Sequence, residues 1–162
     1  MKLNIKIITT YTFIIVFLAC QHQGNNNHQG LIVHSEAQFE YAIKNINSLK
    51  SVHSLYPRSI EKGKLKLVGP SDWTSGFFPG NLWMMYELSG NEIWKKRALE
   101  YTLPLESEKW NAHDHDIGFK MFNSFGKAIK HDTNPAFKDI LIQSAKTLST
   151  RYDPIVGCIR SW

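Results

Sequence analysis

From about residue 35 onward the chain alternates between stretches where apolar residues recur every three or four positions and short polar breaks, as helices with one buried face do. Phe39, Ala42, Ile43, Ile46 and Leu49 define the first stretch, with Ser35 and Gln38 placed as a capping box. The period is lost from Val52 to Trp73, where Pro57, Gly63, Gly69 and Pro70 predict a long loop with one short extended piece at Lys64 to Val68. A loop of that length is uncommon in a compact domain and is often functional. Leu82, Trp83, Met85 and Tyr86 restore the helical period, with Pro79 tolerable in the first turn and Ser89-Gly90 as a stop. Asn91 caps the next helix, carrying Ile93, Trp94, Ala98, Tyr101 and Leu105, which Pro104 should kink or end. A further stripe, Ile117, Met121, Phe125 and Ile129, widened by Phe122 and Ala128, ends near His131. Asn134-Pro135 then opens a helix with Phe137, Ile140, Leu141, Ala145 and Leu148.

The breaks at Asn91 and Asn134 match in form and lie about 43 residues apart, within the ~40–47 residue period of helical-hairpin arrays. The chain is therefore expected to be all-α, about five helices arranged as hairpins, in an open solenoid or a closed toroid. It stops at Arg160-Ser161-Trp162 with no terminal cap, so the expectation is a truncated frame whose last helices lack neighbours.

Upstream of the helices the pattern changes. Lys2 and Lys6 precede an apolar run from Ile7 to Ala19, too short for the ~20 residues of a spanning helix, so residues 1–19 read as an export signal. Phe17-Leu18-Ala19-Cys20 resembles a bacterial lipobox, with Phe17 where Leu is usual. Cys20 is the expected lipidation site and residues 20–32 a polar tether. The protein is thus expected in the cell envelope, touching a membrane only through that lipid. Cys158, the other of two cysteines, then has no disulfide partner and is expected to be a small buried hydrophobe.

Composition changes this picture little. With 43% hydrophobic and 12% aromatic residues, the 162-residue chain is globular in character. Its formal net charge of +5 includes Lys2 and Lys6 of the export signal. The densest basic run, Lys95-Lys96-Arg97, follows Glu92 at helical spacing and reads as a solvated face. No zinc-finger spacing or RNA-recognition signature accompanies these charges, so nucleic acid is not an expected partner.

The candidate chemistry sits at His113-Asp114-His115-Asp116, which runs straight into the stripe beginning at Ile117. One carboxylate suffices to cap a helix, accepting orphan N–H groups at the positive end of the macrodipole. Two carboxylates and two imidazoles leave at least one group over. His113 and His115 form a His-x-His pair, but no spacing fixes a third ligand, so neither a metal nor a cofactor is assigned.

Two motifs carry a resemblance. Asp72-Trp73-Thr74-Ser75-Gly76-Phe77-Phe78-Pro79-Gly80, followed by Leu82-Trp83, Tyr86 and Gly90-Asn91-Glu92, and then His115-Asp116-Ile117-Gly118-Phe119, resemble in order and spacing the N-terminal part of the unsaturated glucuronyl hydrolases, glycoside hydrolase family 88. Arg151-Tyr152, Gly157 and Ile159-Arg160-Ser161-Trp162 resemble that family's next segment. The likeness covers about residues 35–162 and implies that residues 33–162 are the N-terminal part of an incomplete (α/α)6 toroid. It also implies hydrolysis of lyase-generated oligosaccharides bearing a 4,5-unsaturated uronic acid, derived from glycosaminoglycans or ulvan. Asp116 falls on the first catalytic carboxylate, and the second, the proton donor, is expected beyond Trp162. Trp73 falls on an aromatic that lines the sugar site, and His115 adjoins Asp116 among the substrate-binding residues. Two other readings remain: a glycan-binding helical-repeat lipoprotein, which would need Trp73 but not Asp116, and an unsaturated rhamnogalacturonyl hydrolase.

Overall fold

The computed structural model describes residues 28–161. The export signal, Cys20 and the tether up to residue 27 lie outside them. The chain divides into two units, Met1–Gln38 and Phe39–Trp162. In the first, residues 28–38 are helical, so the tether's last residues, 28–32, and Ser35 are helix rather than spacer and cap.

The second unit is built on helices, as the apolar period predicts. Its helices are α1, which in this unit covers residues 39–49, then α2 (Phe77–Ser89), α3 (Glu92–Thr102), α4 (Ile117–Ala128) and α5 (Ala136–Ser149). Pro104 acts as expected. It ends α3, and a tight 3-10 segment takes over from Leu103 to Trp110. Asn91 caps α3 by accepting the Ile93 N–H at 3.1 Å, and Asn134 accepts the Ala136 N–H at 3.1 Å in the same way. Gly90 adopts the left-handed φ of 65° that closes α2.

Buried Trp83, Trp94, Tyr56, Tyr101, Phe125 and Met121 share one core. Two of its polar groups are paired, the Trp83 indole donating to Thr102 Oγ1 at 3.0 Å and the Tyr56 hydroxyl to the Tyr101 carbonyl at 3.1 Å, while the buried Tyr101 hydroxyl has no hydrogen-bond partner among the described residues. Burial pushes the Tyr56 phenol well up, with the nearby Glu108 charge adding to it.

Three expectations need correction. The loop from Val52 to Trp73 contains a full hairpin, β1 (Tyr56–Glu61) paired antiparallel with β2 (Lys64–Val68), rather than a single extended piece. Lys62 and Gly63 turn it at φ values of 49° and 76°, the two positive angles of a type I′ turn. The α4 stripe is rotated from its expected position. Ile117, Met121, Phe125 and Ala128 are buried, but Phe122 and Ile129 face outward, and Lys120 and Ser124 take the inner places. Cys158 is exposed, because it lies in β4 (Cys158–Ile159), which pairs only with the two-residue β3 (Tyr152–Asp153) at the surface.

Candidate active site

The site is assembled where α2 and α4 begin. Gly76 sits just ahead of α2, and a Cβ there would lie 2.4 Å from the Lys120 carbonyl oxygen and 2.5 Å from the Phe119 carbonyl oxygen. Only glycine lets the two backbones meet so closely. One turn on, a Cβ at Gly80 would stand 3.0 Å from the Asn123 carbonyl oxygen. This contact brings the Trp73 turn up to the first turn of α4.

That turn is fixed by Asp72. Its Oδ1 accepts the Thr74 N–H at 2.9 Å and the Thr74 hydroxyl at 2.6 Å, while its Oδ2 pairs with Arg58 at 2.7 Å. The β1–β2 register shifts between Pro57 and Ser59, and this bulge turns Arg58 toward Asp72. Trp73 is consequently no core residue. At 45% exposure it packs edge-on against Phe77, at 6.0 Å between ring centres, and against Phe119 at 6.4 Å. Phe77 and Phe119 are themselves partly exposed, and together the three rings form an outward-facing aromatic platform.

Phe119 joins this platform to the acidic stretch, since its N–H is bonded to the Asp116 carbonyl at 2.9 Å. An open cleft of about 360 Å³ lies there, lined by His115, Asp116, Phe119, Phe122, Asn123 and Leu148, among others. A larger cleft of about 550 Å³ on the α3 face, lined by Glu92, Lys95, Lys96 and Leu99, holds none of the candidate groups.

The four ionisable residues ahead of α4 separate by role. Asp114 is structural: its Oδ1 accepts the Asp116 N–H at 2.8 Å and its Oδ2 meets the Lys120 ammonium at 2.7 Å. Partial burial pushes its pKa up, but the bonds from Lys120 and the Asp116 N–H, with the charges of Lys120 and His115, outweigh this and hold it below the usual range. Asp116 occupies the cap position of α4, yet its side chain makes no capping bond. Its Oδ1 lies 3.3 Å from His115 Nε2, both side chains being partly exposed. His113 is exposed, its N–H held by Asn111 Oδ1 at 3.0 Å. Asp114, His115 and Asp116 bring three ligand-type atoms within 4.8 Å of one another, but the positive charge at Asp114 is already supplied by Lys120.

Sequence reasoning missed Lys120. Its side chain is wholly buried and pairs with Glu108 as well as Asp114, each at 2.7 Å, and it donates to the Ser71 carbonyl at 3.2 Å. The signal was present. Lys120 falls three residues after Ile117, on the inner face of an amphipathic helix where an unpaired lysine is not tolerated. Arg151 was also missed as a clamp: it donates to the carbonyls of Ala112, Arg160 and Ser161, tying the β3–β4 turn to the segment that leads into His113.

With this geometry in place, comparison with known proteins gives one consistent result. Over 117 residues, 72% of this chain and 28% of the other protein, the chain is 48% identical to the unsaturated glucuronyl hydrolase of Formosa agariphila. It is 22% identical over 160 residues to the unsaturated chondroitin disaccharide hydrolase of Streptococcus pneumoniae, covering 97% of this chain and 38% of that one. Among solved structures, a heparin-specific unsaturated glucuronyl hydrolase superposes with a TM-score of 0.66 at 35% identity, over 74% of this chain and 32% of that one. No family model matches the chain. The solved neighbours are unsaturated glucuronyl hydrolases with the six-hairpin helical fold, and the helices described above are part of such a fold. The chain spans about a third of the length of the relatives it matches.

Proposed function

We propose that the intact protein is a glycosidase that removes a 4,5-unsaturated uronic acid from the non-reducing end of lyase-generated oligosaccharides, with Asp116 as one of two catalytic carboxylates. The observation that carries this reading is the state of Asp116. At a helix mouth whose structural duties fall to Asp114, its carboxylate makes no cap bond and stands beside His115, next to an exposed aromatic platform.

The chemistry suits such a group. The ring oxygen makes the C4=C5 bond a vinyl ether, so protonation at C4 leaves an oxocarbenium-like centre at C5. Water adds at C5, giving up its proton to a carboxylate, and the hemiketal opens and releases the sugar. One acid must deliver the proton, while a second carboxylate steadies the positive charge and guides the water. Asp116 takes the second role, and the proton donor comes from the remainder of the toroid. Trp73 offers its exposed face to the C–H surface of a sugar, and His115 lines the cleft beside Asp116. Glycosaminoglycan-derived disaccharides are the first substrates to try, since relatives are named for chondroitin and heparin.

Asp116→Asn in the intact protein tests this. It keeps shape and hydrogen-bonding reach but removes the charge, so turnover should fall by about 10²-fold or more with KM unchanged or lower. The readout is loss of ultraviolet absorbance of the conjugated C4=C5 bond on unsaturated chondroitin, heparin or ulvan disaccharides. Equal rates for parent and variant would reject the assignment. No bleaching by the parent, with Trp73-dependent binding retained, would favour a glycan-binding module.

The same reading puts the protein in the cell envelope, anchored through lipid on Cys20. Two signals support it: Ala19 just before that cysteine, and a polar run after it. Cys20→Ser should shift the protein from the membrane to the soluble fraction, and an unchanged membrane fraction would count against the anchor.

A further inference from the structure

Lys120 is a cation buried where a leucine or methionine would pack at no desolvation cost. Buried ion pairs are seldom the cheapest route to stability, since removing the charges from water cancels much of their attraction. This one converges on the residues around Asp116. Its ammonium binds Glu108 Oε2 in the 3-10 segment, the Ser71 carbonyl two residues before Trp73, and Asp114 Oδ2. Glu108 is itself held by Asn111 Nδ2 at 2.8 Å, so the ammonium is anchored to a fixed point. Asp114 uses its other oxygen, Oδ1, to bind the Asp116 N–H at 2.8 Å. The path from the buried charge to the backbone of the reactive carboxylate is two contacts long.

We infer that Lys120 is a positioning residue for Asp116: its ammonium, anchored on Glu108 and the Ser71 carbonyl, holds Asp114, and Asp114 holds the backbone of Asp116. The inference rests on the catalytic reading of Asp116 given above. Lys120 touches no substrate in this scheme. It acts on the reaction by fixing where the carboxylate stands, and a displacement of about 1 Å can cost about 10²-fold in rate.

The test separates positioning from charge balance alone. In the intact protein, Lys120→Met leaves two carboxylates facing each other without their cation, so both melting temperature and kcat should fall. The double variant Lys120→Met with Glu108→Gln restores the parental net charge of the cluster but not the grip on Asp114. Positioning predicts that the double variant regains most of the melting temperature while kcat stays about 10- to 100-fold below the parent, with KM within about threefold. Recovery of kcat together with melting temperature would overturn the inference. If the double variant does not fold, Asp114→Ala carries the same test: a loss of kcat of that size is expected, and parental kcat would overturn it. Asp116→Asn, measured alongside, keeps the two ideas distinct. An inactive Asp116→Asn with a fully active double variant defeats only the role of Lys120, whereas an active Asp116→Asn defeats the catalytic reading itself.

Discussion

At the mouth of α3, Asn91 accepts the Ile93 N–H, and Glu92 follows in the first turn to meet the helix dipole. At the mouth of α4 the residue in the same position, Asp116, makes no such bond, and no acid occupies the first turn. The polar groups of the first mouth are consumed in closing a helix. Those of the second are divided, with Asp114 bound to Lys120 and to the Asp116 N–H, and Asp116 left facing the cleft. The Asp116 side chain is thus spared the capping role and stands beside His115, which is the feature the proposed role rests on.

The largest effect on this contrast should come from closing the gap between α2 and α4. Gly76→Ala puts a methyl group about 2.4 Å from the Lys120 carbonyl oxygen, and its obstacle is backbone rather than a movable side chain. The helices must part, at a cost of about 1–3 kcal/mol by the general cost of overpacking, and the Trp73 turn must move from Asp116. Gly118, in the first turn of α4, has nothing within 4 Å of its Cβ position, so Gly118→Ala should leave stability equal or slightly raised. Urea melts of the two variants check the pair, and equal midpoints would remove the close backbone contact as the organising feature.

A smaller effect is expected at the α3 mouth. Asn91→Ala loses the bond to the Ile93 N–H and should cost about 1 kcal/mol, the ordinary value for a cap, with no change in turnover. Asp116→Asn should do the reverse, lowering turnover with stability near the parent. If Asn91→Ala impaired bleaching as much as Asp116→Asn, the two mouths would not differ in kind.

Much of this was legible in the sequence. The helical periods, the caps at Asn91 and Asn134 and the stop at Pro104 are local signals, and the structure bears them out. Long-range choices were not legible. Whether Phe122 or Lys120 faces inward depends on Glu108, twelve residues away, and on the Ser71 carbonyl, neither of which α4's own periodicity reveals. Pro57 breaks the local pattern of Tyr56–Glu61, and only its partner Lys64–Val68 supplies the pairing that makes it a strand. Residue type alone would put Cys158 inside, yet it lies on a surface turn whose position is set by Arg151.

The smallest effect is one of pH, and it tests whether Asp114 is the structural member of the pair. Its carboxyl is held below the ordinary range in the folded protein, although burial pulls the other way, so the net contribution is modest. The unfolded chain returns Asp114 to about pH 3.9. Between the lowered folded value and that one the unfolded state binds more protons, so stability rises with pH across the window. The contribution is complete above about pH 5 and disappears as pH falls through the folded value. Glu61 and Glu87 are also held low, by hydrogen bonds from Lys66 and His131, so acid weakens the parent through several groups at once. Comparison with Asp114→Asn cancels those shared terms. The parent should be the more stable of the two by a constant margin from pH 7 to 5, and the margin should shrink steadily below about pH 4. A margin that held constant down to pH 2 would mean that Asp114 carries no ionic role, and the division of labour at the α4 mouth would have to be redrawn.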